Sequence, residues 1–428
     1  MKQQKRFHRI SRSSFIVGSA FALLFFTSCR RHTTTHLVFW INNREFVRYV
    51  ELFNSSHDLL KVTLVYKDNP AAELPSVSHE LPPDIVAGPW LRNEHTARYF
   101  RPIRTAFNRQ EISRRSFYPA LLDAGKIGYR QYLLPVSFNL PAVIFSRENA
   151  DFISDGYTIS IDAIKDTSIA FNKKNESDTQ FTRMGFSPLN SASFLYLTAK
   201  LHGARFQKVR GALNWNDASL AETVAYIRNW TEHNGGTQSE HDFSYKYLSM
   251  PSYRQVTTGR CLFTAIRSDQ LFSLSSEQTA PIDYRWITHD GKLPIDDSLI
   301  MIGIARSCRH VAAAKEFILW LLNSKTQRAL IEDKTNVPLD TDYFGIAGGF
   351  SSLREINEHI LPIRYVMLMS NVPQSDALSP PERLPADWDT VLERVVCPYL
   401  VERCGSEQPD TVASLSDRLA AWEKQNFN

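Results

Sequence analysis

One apolar run limits what this chain can fold into more than any other feature. Tyr132–Phe145 (YLLPVSFNLPAVIF) is extended and hydrophobic throughout, yet Pro135 and Pro141 interrupt it. Proline has no N–H for a sheet ladder, so one central strand of this length is excluded. The run reads as two half-strands joined by an exposed crossing segment. The chain therefore passes from one strand to a separate one across Val136–Pro141.

The flanking pattern supplies the surrounding elements. His36–Ile41 (HLVFWI) predicts a strand, and Asn42 and Asn43 stand as N-cap residues. Phe46, Val47, Val50 and Phe53 then fall on one helical face. Leu59–Tyr66 predicts a second strand and Asp84–Ala87 a short third. Strands alternating with helices imply mostly parallel sheets flanked by helices. Further on, Ser191–His202 and Ser219–His233 predict helices, Cys261–Ile266 and Leu299–Ala305 strands, and His310–Leu330 one long helix with Val311, Ala314, Phe317, Ile318 and Leu321 as its apolar stripe. Gly345–Ser352 reads as a loop and Thr411–Gln425 as a last helix. At 428 residues the length suits two or three domains.

The first 28 residues read as an export signal. Lys2, Lys5, Arg6, Arg9 and Arg12 precede an apolar run, Phe15–Phe26, that is too short to span a bilayer of roughly 30 Å as a helix. Thr27 and Ser28 lead into Cys29, which resembles a bacterial lipobox with Phe26 in the place usual for Leu. That resemblance implies a lipid-modified Cys29 and a tether over 29–35. An uncleaved N-terminal anchor is the competing reading. Removing those five basic residues from 49 leaves 44 Lys and Arg against 45 Asp and Glu, so the processed chain is nearly neutral. No dense basic stripe is left, which argues against nucleic-acid binding.

Cys261, Cys308, Cys397 and Cys404 remain. In a helix, seven residues separate Cys397 from Cys404 by about 10 Å, beyond a disulfide's reach of about 7 Å. Pro398 would relax that limit by breaking the helix. The reading favours free buried thiols.

Catalytic signatures are missing. There is no G-x-S-x-G elbow, phosphate-cradling loop or H-E-x-x-H, and the twelve histidines lack metal-ligand spacing. Neither catalytic residues nor a metal or cofactor is expected. Adjacent Asp296 and Asp297 read as a solvated loop or cap. Distant paired acids, as in an exported sugar-cleaving enzyme, stay open as an alternative.

The sequence instead places aromatic and amide residues at strand ends and loops. In open parallel sheets, ligands sit beyond the carboxyl ends of the strands. A ring there can stack on the C–H face of a sugar while amides meet its hydroxyls. The expected ligand contacts are Trp40, Asn43, Trp90, Asn139, Ser187, Arg267 and Trp286. Each tryptophan taken alone is more simply core, and Trp320 is assigned there. Arg267 implies either a partner carboxylate such as Asp269 or an acidic group on the ligand.

Several segments in the same order resemble the bacterial extracellular solute-binding proteins of ABC importers, of the maltose and multiple-sugar type. TTHLVFWINNREFVRYVELFNSSHDLLKVTLVY is similar to the family's opening βαβ unit, and PPDIVAG to its next strand. LLDAGKIGYRQYLLPVSFNLPAVIFSRE resembles the first hinge crossing. GFSPLNSASFLYLTAKLHGARF and GRCLFTAI resemble the second lobe's ligand loop and a strand near the cleft. SLIMIGIARSCRHVAAAKEFILWLLNSKTQRAL resembles the return crossing and its helix. Arg267, Ser268 and Asp269 stand where sugar-binding members carry Gly and an aromatic platform, and Ser187 and Leu189 where maltodextrin binders carry an acid and an aromatic. The resemblance implies an α/β, periplasmic-binding-protein-like fold of two lobes, each a mostly parallel sheet flanked by helices, joined by a hinge near Val136–Pro141. Its N-terminal lobe would be 36–137 plus 301–345, and its C-terminal lobe 142–297 plus 350–428. It also implies a monomer, lipid-anchored to the cell membrane on its periplasmic or extracellular face. Such a protein captures a small solute, a sugar by this likeness, for a membrane permease. A surface lipoprotein that has lost transport is the other alternative.

Overall fold

The structure is a computed structural model that describes residues 34–75, 81–103, 113–177, 179–332 and 343–426. The signal segment, Cys29 and most of the tether lie outside them.

Ten strands build two sheets. They are β1 (Thr35–Ile41), β2 (Leu60–Tyr66), β3 (Ile85–Gly88), β4 (Leu133–Phe138), β5 (Pro141–Ser146), β6 (Thr158–Ser160), β7 (Thr264–Arg267), β8 (Ile282–Thr288), β9 (Ile300–Ile304) and β10 (Phe350–Ser351). The first sheet runs β10-β4-β9-β3-β1-β2, and the second β7-β5-β8-β6. The apolar run is thus split as its prolines require: β4 ends in one sheet and, after Asn139–Leu140, β5 begins in the other.

The sheets are mixed rather than mostly parallel. β1 lies parallel to β2 and β3, and β8 to β6. Antiparallel pairs appear where strands arrive by a crossing: β9 against β3 and β4, β10 against β4, and both β7 and β8 against β5. A strand returning from the other lobe carries no right-handed βαβ connection, so nothing forces it parallel.

Helix α1 (Glu45–Ser56) buries Phe46, Tyr49, Val50 and Phe53 on the first sheet. Val47, expected on that face, is 44% exposed. The Phe317 ring stands 5.3 Å from Phe39 and 5.0 Å from Phe53, both edge to face, so the helix that carries it docks on this lobe. That helix is shorter than expected. It divides into α2 (Val311–Leu321) and α3 (Ser324–Glu332) because Asn323 caps the second piece, its side chain accepting from Lys325 N at 2.9 Å. Gly345–Ser352 is likewise not all loop. β10 lies within it and belongs to the first sheet, so the boundary at 350 drawn for the second lobe falls inside the first.

A third body of helices completes the molecule. Ala192–Leu201, Asp217–His233 and Cys397–Gly405 enclose a core of Leu195, Ile227, Trp388 and Leu400. Before Cys397 the helix widens into one π turn, Leu392–Val396. Cys261, Cys308 and Cys404 are buried free thiols and Cys397 is half-buried. Burial pushes the first three up to about 12 and Cys397 to about 11, so all stay protonated. Among the described residues no helix is long and apolar enough to cross a membrane.

Candidate functional site

The second sheet, the return crossing and the helical body surround a cleft of about 1230 Å³, which Trp90 reaches from the first lobe. Its floor is the set of crossings. Asp296 N donates to Asn139 O at 2.9 Å, tying the return crossing to the outgoing one. Ser268, fully buried, donates from Oγ to Asn139 Oδ1 at 2.6 Å, and its N–H bonds to Leu140 O at 2.9 Å. Leu293–Pro294 pairs in parallel with Leu378–Ser379, so the chain's third passage lies beside the second.

Two acids of the return crossing organise the polar part of the wall. Asp297 accepts from Tyr196 Oη, Lys200 Nζ and, at 3.3 Å, Trp388 Nε1. Burial first, and then Asp297 itself, pushes the Tyr196 phenol well above its ordinary value. Asp296 accepts from Ser298 N at 2.9 Å and stands 3.7 Å from Arg267. Arg267, at the end of β7, forks onto Asp269 with bonds of 2.7 and 2.6 Å. Those bonds raise its already high pKa.

The first lobe contributes Trp90 to the cleft wall. Trp90 follows β3 with φ +54°, a conformation that a bulky residue adopts only when its surroundings impose it. Its ring packs against both the main core and the helical core, and its enclosed Nε1 has no partner. Nearby, Asn69 Nδ2 donates to Ala386 O at 2.9 Å and Arg92 Nη1 to Pro381 O at 2.7 Å. Glu94 accepts from Gly211 N at 3.1 Å and pairs with Lys208 at 3.4 Å. First-lobe side chains thus bind the second lobe directly.

Of the seven residues singled out from sequence, the structure brings Trp90 and Arg267 together on this cleft. Asn139 lies in the floor behind it, and its Nδ2 donates to Gly348 O at 3.0 Å. Asn43 serves the same loop through Ala347 O at 2.9 Å and caps α1 by accepting from Glu45 N. Gly349 has to be glycine for that loop to reach β4, since a Cβ would sit 2.7 Å from Phe138 O. Ser187 donates to the buried carboxylate of Glu240 at 2.7 Å. Trp40 and Trp286, each 1% exposed, are core. Lys67 stands 4.7 Å over the Trp40 ring, and Trp286 Nε1 donates to Asn371 O at 3.1 Å.

Sequence reasoning missed Tyr196, Lys200, Asp297 and Trp388. Asp296–Asp297 reads from sequence as a solvated loop or a cap; Asp296 does accept from Ser298 N, whereas Asp297 is buried among second-lobe partners. The available signal is its position, two residues before the apolar strand Leu299–Ala305 that resembles a crossing. Among the described residues no group of His, Cys, Asp or Glu is arranged to hold a metal.

No family model matches the sequence, and a search of curated proteins found no match. Solved structures do match. The sugar-binding protein MalE from Xanthomonas citri is similar with TM-score 0.65 at 11% identity, over 91% of this chain and 96% of that one. The GacH receptor of Streptomyces glaucescens, solved with and without acarbose, gives 0.60 at 10% identity over 91% and 98%. The galacto-N-biose/lacto-N-biose I-binding protein of the ABC transporter from Bifidobacterium longum gives 0.57 at 11% over 92% and 98%. At these identities the likeness shows the fold. It is the two-lobed α/β fold of periplasmic-binding-protein-like sugar-binding proteins, and these neighbours are binding proteins.

Proposed function

We propose that this chain is the extracytoplasmic solute-binding component of an ABC importer. It is anchored to the membrane by lipid on Cys29, works as a monomer without a cofactor, and delivers a carbohydrate to a membrane permease. The lobes expected from sequence, with β10 moved to the first, close about the hinge at Val136–Pro141. The observation that carries this reading is the cleft of about 1230 Å³ at the meeting of the lobes, with Trp90 held at positive φ in its wall. Its volume exceeds the roughly 300–1,000 Å³ usual for small-molecule sites, which leaves room for more than one sugar ring. The similar structures bound to acarbose, mannotriose and maltotetraose support the carbohydrate assignment.

A thermal-shift panel of mono- and oligosaccharides, amino acids and polyamines tests it. A true ligand at a hundredfold excess over Kd stabilises by about 2.7 kcal/mol. Trp90→Ala then weakens that ligand at least tenfold, about 1.4 kcal/mol, as read by tryptophan fluorescence. Unaltered binding by Trp90→Ala would place the site elsewhere.

A further inference from the structure

The wall of the cleft is more apolar than polar. Tyr196 and Trp388 each spend their one donor on Asp297, and Lys200 spends one of its three there. Both Ser298 N and Ser298 Oγ donate to Asp296 Oδ1, at 2.9 and 2.5 Å. The Arg267 fork is filled by Asp269. Glu402 accepts from Arg418, and Asp389 Oδ1 from Asn69 Nδ2 at 3.2 Å. Gln270 Oε1 accepts from Arg267 N at 3.2 Å. The capacity left for a ligand is grouped: the remaining N–H groups of Lys200, Arg267 Nη1 and the Gln270 amide nitrogen, the enclosed Trp90 Nε1, and His241 and Glu393 on exposed parts of the wall.

The apolar part of the wall is different. Trp90, Leu197, Ala265, Ile266, Leu392 and Val401 are each only partly buried, so their surfaces stand open to whatever enters. An unsubstituted oligosaccharide would bring hydroxyls against this apolar part of the wall, where they lose water and meet no partner. A molecule with an apolar surface loses nothing comparable and covers the exposed methyl groups and rings.

We propose that the solute of this cleft is amphipathic: a glycoside carrying an aliphatic or aromatic group, with that group against the Ile266, Leu392 and Val401 side chains and the sugar toward His241 and Glu393. This rests on the cleft being the binding site. The size of the cleft suits it, since a sugar ring and a chain together need more room than a ring alone.

The test uses the intact chain with methyl, hexyl and octyl glucoside, kept below micelle formation, and maltotriose as the unsubstituted comparison, all read by isothermal titration. Each methylene fully buried tightens binding about fourfold. The expected result is an affinity at least tenfold higher for hexyl than for methyl glucoside, with a negative heat-capacity change that grows with chain length. Val401→Thr conserves side-chain size and Ile266→Thr shortens it by one carbon, both at partly buried positions, and each flattens that dependence. If maltotriose binds and chain length has no effect, the inference falls while the cleft remains the site. If the dependence survives both variants, the chain binds elsewhere and the inference again falls. If none of these compounds binds, the inference falls together with the carbohydrate reading beneath it.

Discussion

Asp297→Asn is the most informative single change. Asp297 is 8% exposed at its side chain, and the Lys200 ammonium it holds is 20% exposed. Asparagine has the same shape but one acceptor. If that oxygen faces Tyr196 Oη and Trp388 Nε1, the new amide N–H₂ faces Lys200, donor against donor. Removing one partner of a buried ion pair costs about 3–5 kcal/mol, because the other charge stays desolvated. Water reaches a fifth of Lys200, so the effect here should be about 2–3 kcal/mol. At roughly 2–4 °C per kcal/mol for domains of this size, apo melting falls by about 5–10 °C. Calorimetry on the apo protein measures it. Lys200→Met in the same chain removes the stranded charge, and the double variant should recover at least about 1 kcal/mol of the loss. Purely additive effects, or a variant that melts like its parent, would refute the reasoning. Asp297 would then be the solvated loop residue that its sequence neighbourhood suggested.

Three further outcomes are expected. Cys29→Ala abolishes incorporation of labelled palmitate in a bacterial host and releases the protein from membranes; a labelled variant would rule out that attachment. Burial raises the Glu240 carboxyl above its ordinary 4.5, so the native state holds this proton more tightly than the unfolded one. Its contribution is therefore complete at lower pH and declines as pH rises from 4.5 through the raised value. Relative to Glu240→Gln, the wild type should lose stability across that window, and a flat difference in urea denaturation would exclude the assignment. Lastly, a fragment of residues 30–135 lacks β9 and β10, which flank β4 in the first sheet, and should not melt cooperatively. A sharp transition would show that the lobe is continuous in sequence after all.

Much of the fold was legible because it was written in local terms. Periodicity gave β1 and α1, and the two prolines gave the division into β4 and β5. Less of the site was legible, for a physical reason. Asn43, Asn139 and Ser187 were chosen as polar residues at strand ends and in loops, the places where a ligand would use them. The same places contain backbone carbonyls and a buried carboxylate that need partners, and these are what the three residues satisfy. Local sequence cannot tell a side chain that serves the protein from one that serves a ligand. Trp40 and Trp286 raise the same difficulty in apolar form. Trp90 differed only in its backbone, and a positive φ is invisible before the fold is known. Tyr196, Lys200 and Trp388 gain meaning only through Asp297, which lies 101, 97 and 91 residues away from them.

The acids of the return crossing bear on motion as well as on binding. A hinge needs segments that can change φ and ψ while their neighbours stay packed. Here Asp297 and Asp296 are held by Tyr196, Lys200 and Arg267, all from the second lobe. Ser268 likewise fixes Leu140 by bonds in both directions, at 2.9 and 3.1 Å. Those anchors place residues 295–297 and Leu140 in the frame of the second lobe. A pivot between the proposed lobes would then fall on the first-lobe side: at Phe138 in the outgoing strand, since Asn139 is itself held by Ser268 and Asp296, and at Ser298–Ile300 in the return, where the pairing with β4 slips register between Ile300 and Met301. The slip marks where an irregular ladder can bend without breaking regular pairs. Proline at Ser298 should therefore alter the rate or extent of closure, seen as a changed ligand-induced decrease in scattering radius. The same substitution should lower the apo melting temperature only slightly, because the two bonds it removes, from Ser298 N and Oγ, both go to the neighbouring Asp296. A large drop in melting temperature with an unchanged closing motion would put the pivot elsewhere.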